Sequence, residues 1–444
     1  MVDILFLAAL TVVLIQNRLP VLAAAGIVVC VGRGLAGWLA ARVKFKQLEL
    51  AILLFLAYWL ANYFWSTADL DNLVSYEFLR RDGALFVTYP TFFFLLQWRL
   101  RRSYFRGFWL VFLSVLSILA VFAALLLQGF SYANLLEPLS IVGSEAEFMG
   151  SRLFYGWYNA HDAAGAVYTM GCVILLALLV EGKLGRAFRN YLWIMFFCCL
   201  GGLALTFSRS GYVSLMAGMF VLLPLRHLRN TFKIGLAVIV PLIVVLLSNS
   251  AVLNRIDTIT DPNWGTNASR FVVWRDALHD FSQSPIIGIG LGRYNDLGRF
   301  FKGVPGLVYV ATSGEIENND STAHNSYLHF LAEGGIAGLF VSMFIWWSVW
   351  KELSFFERKL PRSHLHPFHR AAKGALAATL VYCMFDHALG SGSGVLILMT
   401  LVGITLAASR AEWLVVSKAR PKPPAQPAAI RTRMPVGAVQ FVRK

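Results

Sequence analysis

The chain has 444 residues, 57% of them hydrophobic and 14% charged, with a mean hydropathy of +0.62. Those values exclude a soluble domain and describe a protein that crosses a bilayer many times. The net charge of +15 raises nucleic acid as a partner, but the placement of the basic residues excludes it.

A helix needs about twenty apolar residues to cross hydrocarbon. Candidate spans centre on 3–17, 19–41, 47–66, 84–98, 107–129, 161–180, 191–207, 211–225, 234–250, 328–350, 374–389 and 393–408, so the expected fold is an all-α polytopic bundle of about twelve transmembrane helices. The first charge is Asp3 and no basic segment precedes it, so the first span reads as retained. Basic residues occupy every second loop: Arg42, Lys44 and Lys46; Arg99, Arg101, Arg102 and Arg106; Lys183, Arg186 and Arg189; Arg226, Arg229 and Lys233; then Lys351 through Lys373 and the tail. By the positive-inside rule these loops and both termini are cytoplasmic, and the surplus charge is a topology signal. The loops 67–83, 130–160, the turn at Arg209 and 251–327 then face outward. The expected layout is a bundle over 1–250, an outer helical domain over 251–327, further spans over 328–410, and a basic tail over 411–444. That tail, with Pro421, Pro423, Pro424 and Pro427, is expected to be disordered and to rest on anionic membrane lipids. The 5 cysteines all fall within spans, which implies neither a disulfide framework nor a zinc site.

In chain order, Arg33 lies inside the second span, where it faces a polar cavity or snorkels from a tilted helix; both readings stay open. Asp69-Leu-Asp71 resembles a metal-holding Asp-x-Asp, yet nothing beside it completes an oxygen cage and a solvated loop is favoured. Arg152 and Asn159, among Tyr155, Trp157 and Tyr158, suit sugar rings and phosphates, as well as an ordinary aromatic belt. Ser208-Arg209-Ser210-Gly211 offers a guanidinium and two hydroxyls on the outer side.

Within 251–327, Phe271, Trp274, Leu278 and Phe281 share one helical face, so an amphipathic helix is expected along the outer surface. Thr266, Asn267 and Ser269 are candidate caps, which would put Arg270 in the first turn, where free backbone N–H groups favour anions. Gly288, Gly290 and Gly292 follow Pro285; without a strand before them they read as a tight turn folding the outer domain over the membrane mouth, not as a nucleotide loop.

His324, Tyr327, Leu328 and Leu331 have helical spacing, so the chain re-enters the membrane as a helix with His324 at its outer mouth. Gly334 and Gly338 form a small-xxx-small pair that lets another helix approach. Alone, His324 reads as an interfacial polar residue. His364, His366 and His369 have metal-like spacing, but among Arg358, Lys359 and Arg362 they read as a solvated cytoplasmic face. Asp386, beside His387 near the outer end of a span, is a functional candidate that pairs with an arginine.

Arg209, Arg270 with Arg275, and His324 thus reach one outer surface from separate segments. Guanidinium groups bind phosphate through a planar fork and stay charged, while an imidazole accepts a proton near neutral pH. The combination suits a lipid-linked pyrophosphate leaving group held by arginines, with His324 as base for a sugar hydroxyl and with no metal or cofactor.

The Ser208-Arg209-Ser-Gly turn, Arg270-x-x-x-Trp274 followed by Pro285-x-x-Gly288-x-Gly290, and His324-Asn325-x-Tyr327-Leu328-x-x-x-x-Glu333-x-Gly335 together resemble the O-antigen ligase and polymerase family (WaaL, Wzy and related oligosaccharyltransferases) over roughly 150–345. The resemblance implies a GT-C-like enzyme that moves a glycan from an undecaprenyl-pyrophosphate donor, inverting the anomeric centre, to the lipid A core for a ligase or to a second lipid-linked repeat unit for a polymerase. Carried over by position, Arg209 and Arg270 contact the pyrophosphate and His324 assists the acceptor hydroxyl; Arg275 competes with Arg270 for the phosphate. Arg152, Asn159, Ser208, Ser210, Trp274, Arg275, Asn325, Tyr327 and Asp386 are the expected substrate contacts. The loop 251–327 is compact for a ligase, which keeps the polymerase open. A transporter or flippase would instead show related halves with charges at the midplane.

Overall fold

Hydrocarbon offers backbone groups no partners, so a chain this apolar satisfies them within helices. The computed structural model describes residues 32, 35–36, 46–66, 83–98, 100, 102–127, 146–148, 151–153, 161–181, 184–206, 208–222, 265–295, 322–387 and 392–419. The expected spans at 3–17 and 234–250, nearly all of that at 19–41, Arg33, the Asp69–Asp71 motif, Asn159 and the tail beyond 419 lie outside them.

The helices are α1 (Gln47–Ser66), α2 (Gly83–Gln97), α3 (Arg102–Leu127), α4 (His161–Glu181), α5 (Arg186–Leu205), α6 (Arg209–Leu222), α7 (Gly265–Gln283), α8 (Ser326–Lys359), α9 (His366–Tyr382) and α10 (Gly392–Ala419). Among the described residues, five stretches are long and apolar enough to cross a membrane: Gln47–Trp65, Ala164–Glu181, Arg186–Leu205, Ser326–Lys359 and Ile397–Ser417. The protein is therefore an integral membrane protein. The expected all-helical fold has one departure among the described residues: Ala146–Phe148 (β1) and Ser151–Leu153 (β2) pair antiparallel, with Glu147 opposite Arg152.

Close contacts fix the relative direction of the helices. A Cβ on Gly218 would lie 3.1 Å from the Gly374 carbonyl and 3.2 Å from the Ala378 Cβ, while one on Gly374 would meet the Leu222 side chain at 3.1 Å. Helices α6 and α9 are thus antiparallel, and the start of α6 lies at the same end as the turn after α9. Likewise α1 runs against α8: Asn62 reaches the Glu333 carbonyl, the Trp59 indole donates to Ser342 Oγ at 3.3 Å, and Gln47 reaches Ser348. Arg209, the start of α8 and the turn after α9 therefore share one end of the bundle. At the other end Arg410 is clamped between carboxylates, donating from Nη1 to Glu49 at 2.6 Å and from Nε and Nη2 to Glu352 at 2.7 and 2.8 Å; Gln97 also donates to Glu49. Arg370 pairs there with Glu181 and with the Leu222 carbonyl.

Two expectations need correction. The span placed at 374–389 is the helix His366–Tyr382, so Asp386 lies in the turn beyond it. Pro367 sits in the first turn, where its missing N–H costs nothing, and starts the helix early. His366 and His369 consequently belong to α9 and not to a solvated face: His369 is buried with Nε2 2.6 Å from Ser409 Oγ, and His366 lies 3.9 Å from Glu181.

Candidate active site

The turn that presents Arg209 is built by its neighbours' hydroxyls. Thr206 donates to the Leu203 carbonyl at 2.7 Å and accepts from the Ser208 N–H, and Ser208 Oγ accepts from the Gly211 N–H at 3.3 Å as the helix cap of α6. Ser208 Oγ also lies 2.9 Å from Ser210 Oγ. Both serines are buried while Arg209 is half-exposed. Their hydroxyls shape the turn that carries Arg209.

Helix α7 begins at Gly265, so Arg270 falls in its second turn and not, as the cap residues led one to expect, in its first. Ser, Thr and Asn cost a helix only tenths of a kcal/mol each, about 0.5 at most, and here the chain winds through them. Arg270 keeps only its own charge for binding an anion. It is half-buried, one turn from Trp274, whose indole Nε1 is buried without a hydrogen-bond partner among the described residues. Arg275 is 63% exposed, 4.0 Å from Asp276. The buried side of α7 is Val273, Ala277 and Asp280, toward α8 and Tyr294, whose hydroxyl donates to the Val273 carbonyl at 2.6 Å. Phe271 and Leu278, expected on the packing face, are exposed.

The glycine turn after α7 docks into a break in α8. Gly335 has φ 60° and ψ −163°, a conformation essentially confined to glycine, and interrupts the helix. Ile289 and Gly290 N–H groups donate to the Ala332 and Glu333 carbonyls, both at 2.9 Å, and Ile336 N–H donates to Pro285. Asn62 Oδ1 accepts from the Leu291 N–H at 2.7 Å, and the Tyr58 hydroxyl donates to the Gly334 carbonyl. The broken helix is thus resatisfied by the loop, which forms the expected tight turn. Gly334 and Gly338 face Trp59 and Tyr58 of α1, the close approach their spacing implied.

At the start of α8, Asn325 is the cap, its Oδ1 accepting from the Tyr327 and Leu328 N–H groups at 3.0 and 3.1 Å. The Tyr327 hydroxyl donates to the Leu380 carbonyl at 2.6 Å, and the Ser326 N–H donates to the Cys383 carbonyl at 2.8 Å. Together these staple α8 to the turn after α9. His324 precedes the cap at φ 43°, a left-handed conformation uncommon outside glycine. Its Nδ1 lies 3.9 Å from Asp386 Oδ1, each side chain 30% exposed. Asp386 therefore pairs with the histidine and not with an arginine as expected. Burial pushes the Asp386 carboxyl up, but the adjacent His324 imidazole and the His387 N–H outweigh it and hold it below its ordinary value. It is a carboxylate at neutral pH, the orienting partner an imidazole base requires.

Behind this pair lie groups to which the sequence reading gave no role. His387 lies against His329 with ring centroids 3.8 Å apart and planes tilted by 45°, and His329 Nε2 lies 3.3 Å from Glu333. Burial, then the adjacent His329, push His387 well below the usual imidazole range, so its ring is neutral. The His329-x-x-x-Glu333 spacing, one helical turn, was the available signal. Of the remaining expected contacts, Arg152 lies on β2. The structure brings His324, Asp386, Asn325 and Tyr327 together and puts Arg209 at the same end of the bundle.

Residues 194–343 match a family model described as O-antigen ligase. No curated protein matches the chain. The matched segment holds the Arg209 turn, α7 with Arg270, the glycine loop and the start of α8 with His324, and over that segment the chain is similar to the O-antigen ligase family.

Proposed function

We propose that the protein is an O-antigen ligase of GT-C type, with about twelve membrane spans, that transfers a glycan from undecaprenyl pyrophosphate to the lipid A core at the periplasmic face of the bacterial inner membrane. The observation that carries this reading is the His324–Asp386 pair at the bundle end where α6 presents Arg209. Arg209 and Arg270 hold the diphosphate; Arg270 is preferred to Arg275 because it is half-buried beside Trp274, whereas Arg275 is exposed and has Asp276 beside it. The acceptor hydroxyl gives its proton to His324 as its oxygen bonds to the anomeric carbon. The bond from that carbon to the pyrophosphate oxygen breaks on the opposite side, inverting the centre. The negative charge gathering on the departing diphosphate is met by guanidinium groups, and the imidazolium by Asp386.

The test is to give the purified full chain an undecaprenyl-pyrophosphate glycan with either lipid A core or a second donor molecule. Product on lipid A supports the ligase, and longer lipid-linked glycan would make the enzyme a polymerase. Neither product, with lipid crossing the bilayer instead, would refute both. His324→Ala should lower turnover by about a hundredfold to ten-thousandfold while donor binding persists; unchanged turnover refutes the assignment of the base.

A further inference from the structure

Glu333, His329 and His387 are 1%, 2% and 7% exposed. A carboxylate and two imidazoles at a helix break are costly to bury, and apolar side chains of similar volume would pack there at less expense. Their arrangement is continuous. The Gly292 and Tyr294 N–H groups donate to Glu333 Oε1 at 3.0 and 3.4 Å, and Glu333 Oε2 lies 3.3 Å from His329 Nε2. The His329 ring is held between Tyr294, centroids 5.1 Å apart, and His387 at 3.8 Å; Phe330 meets His387 at 5.8 Å. The His387 N–H then donates at 2.7 Å to Asp386 Oδ1, the same oxygen that faces His324.

We infer that Glu333, His329 and His387 form a buried positioning column that aims Asp386 at His324 and registers that pair against the loop carrying α7. The inference rests on the proposed role of His324 as base. None of the three touches substrate. The column fixes the turn after α9 from behind, so that docking of the glycine loop, which places α7 and Arg270, and alignment of the base are set by one set of contacts. The contact between the two imidazole rings joins the two halves beside the Ser326 and Tyr327 hydrogen bonds: Glu333 and His329 belong to α8, while His387 and Asp386 belong to the turn after α9.

The test uses the full-length protein in the transfer assay, with kcat and the donor KM measured separately and normalised to folded protein. His387→Ala keeps the backbone N–H but removes the ring that holds the turn; kcat should fall on the order of tenfold to a hundredfold with the donor KM little changed. His387→Phe keeps a flat ring against His329 and Phe330 and should restore most of that loss. Glu333→Gln keeps an acceptor for Gly292 and Tyr294 while replacing the carboxyl oxygen that faces His329 with an amide nitrogen; it should lower kcat and leave the donor KM in place. Unchanged kcat in His387→Ala, or a raised donor KM alone, overturns the column. Should His387→Ala fail to fold, a wild-type kcat in Glu333→Gln overturns it instead. An active His324→Ala overturns the underlying reading of the base, an outcome separate from either.

Discussion

At the scale of single residues, the proposed base His324 and its partner Asp386 should set how activity responds to pH. Asp386 titrates below its ordinary value in the folded chain. Its contribution to stability is therefore fully present above the unfolded value, about 3.9, and is lost only as pH falls through the lowered folded value. At mildly acid to neutral pH the charge change in the pair belongs to the imidazole. Asp386→Asn should lower turnover and move the acid limb of the kcat/KM profile to lower pH, because the imidazolium loses its carboxylate; an unmoved profile would disconnect the two. Asn325→Ala removes the cap of α8 and should cost about 1 kcal/mol, read as a lower midpoint of thermal unfolding, with Asn325→Asp close to wild type. The motifs around Arg209 and His324 were legible because each sits at the junction of a polar and an apolar run. What Ser208, Asn325 and Tyr327 do was not: a sequence shows that a hydroxyl or amide is nearby, and only the backbone shows that it is already used in a cap or across to α9.

Among the elements, α8 decides the geometry of the site. Its apolar pattern pauses at Glu333-Gly334-Gly335 and resumes at once, and Gly334 read with Gly338 as a helix contact rather than with Gly335 as a break; the partner loop 285–292, remote in sequence, supplies the reason for the break. A Cβ on Gly335 would lie 2.4 Å from the Ile286 carbonyl carbon, in a backbone conformation closed to other residues. Gly335→Ala should therefore destabilise the protein by about 2–3 kcal/mol or more and release the loop, seen as faster amide exchange over 285–292. Wild-type exchange there would show that the break does not hold the loop. The Gly334 and Gly338 spacing did announce close helix approach, and α1 is the helix that fills it. The boundary of α9 escaped for a different reason: its first two turns are polar, and hydropathy alone assigned them to a loop although Pro367 marks a start.

For the whole molecule, hydropathy alone gave the helical architecture, whereas the assembly of residues from α6, α8 and the turn after α9 at one end rests on antiparallel packing that no one-dimensional pattern encodes. The far end behaves differently from the catalytic one. Arg410, 9% exposed, joins α1, α8 and α10 through Glu49 and Glu352. Arg410→Ala would strand two carboxylates and should destabilise the fold by about 3–5 kcal/mol, with turnover per folded molecule unchanged; a large drop in that turnover would mean the two ends are coupled. Among the described residues this knot ties α1, α8 and α10 together at the end of the bundle away from His324. If, as proposed, Arg209 and Arg270 hold the diphosphate of both the loaded donor and the spent lipid, the spent lipid should inhibit competitively against the donor and the enzyme should slow wherever its removal lags, which steady-state inhibition kinetics would check.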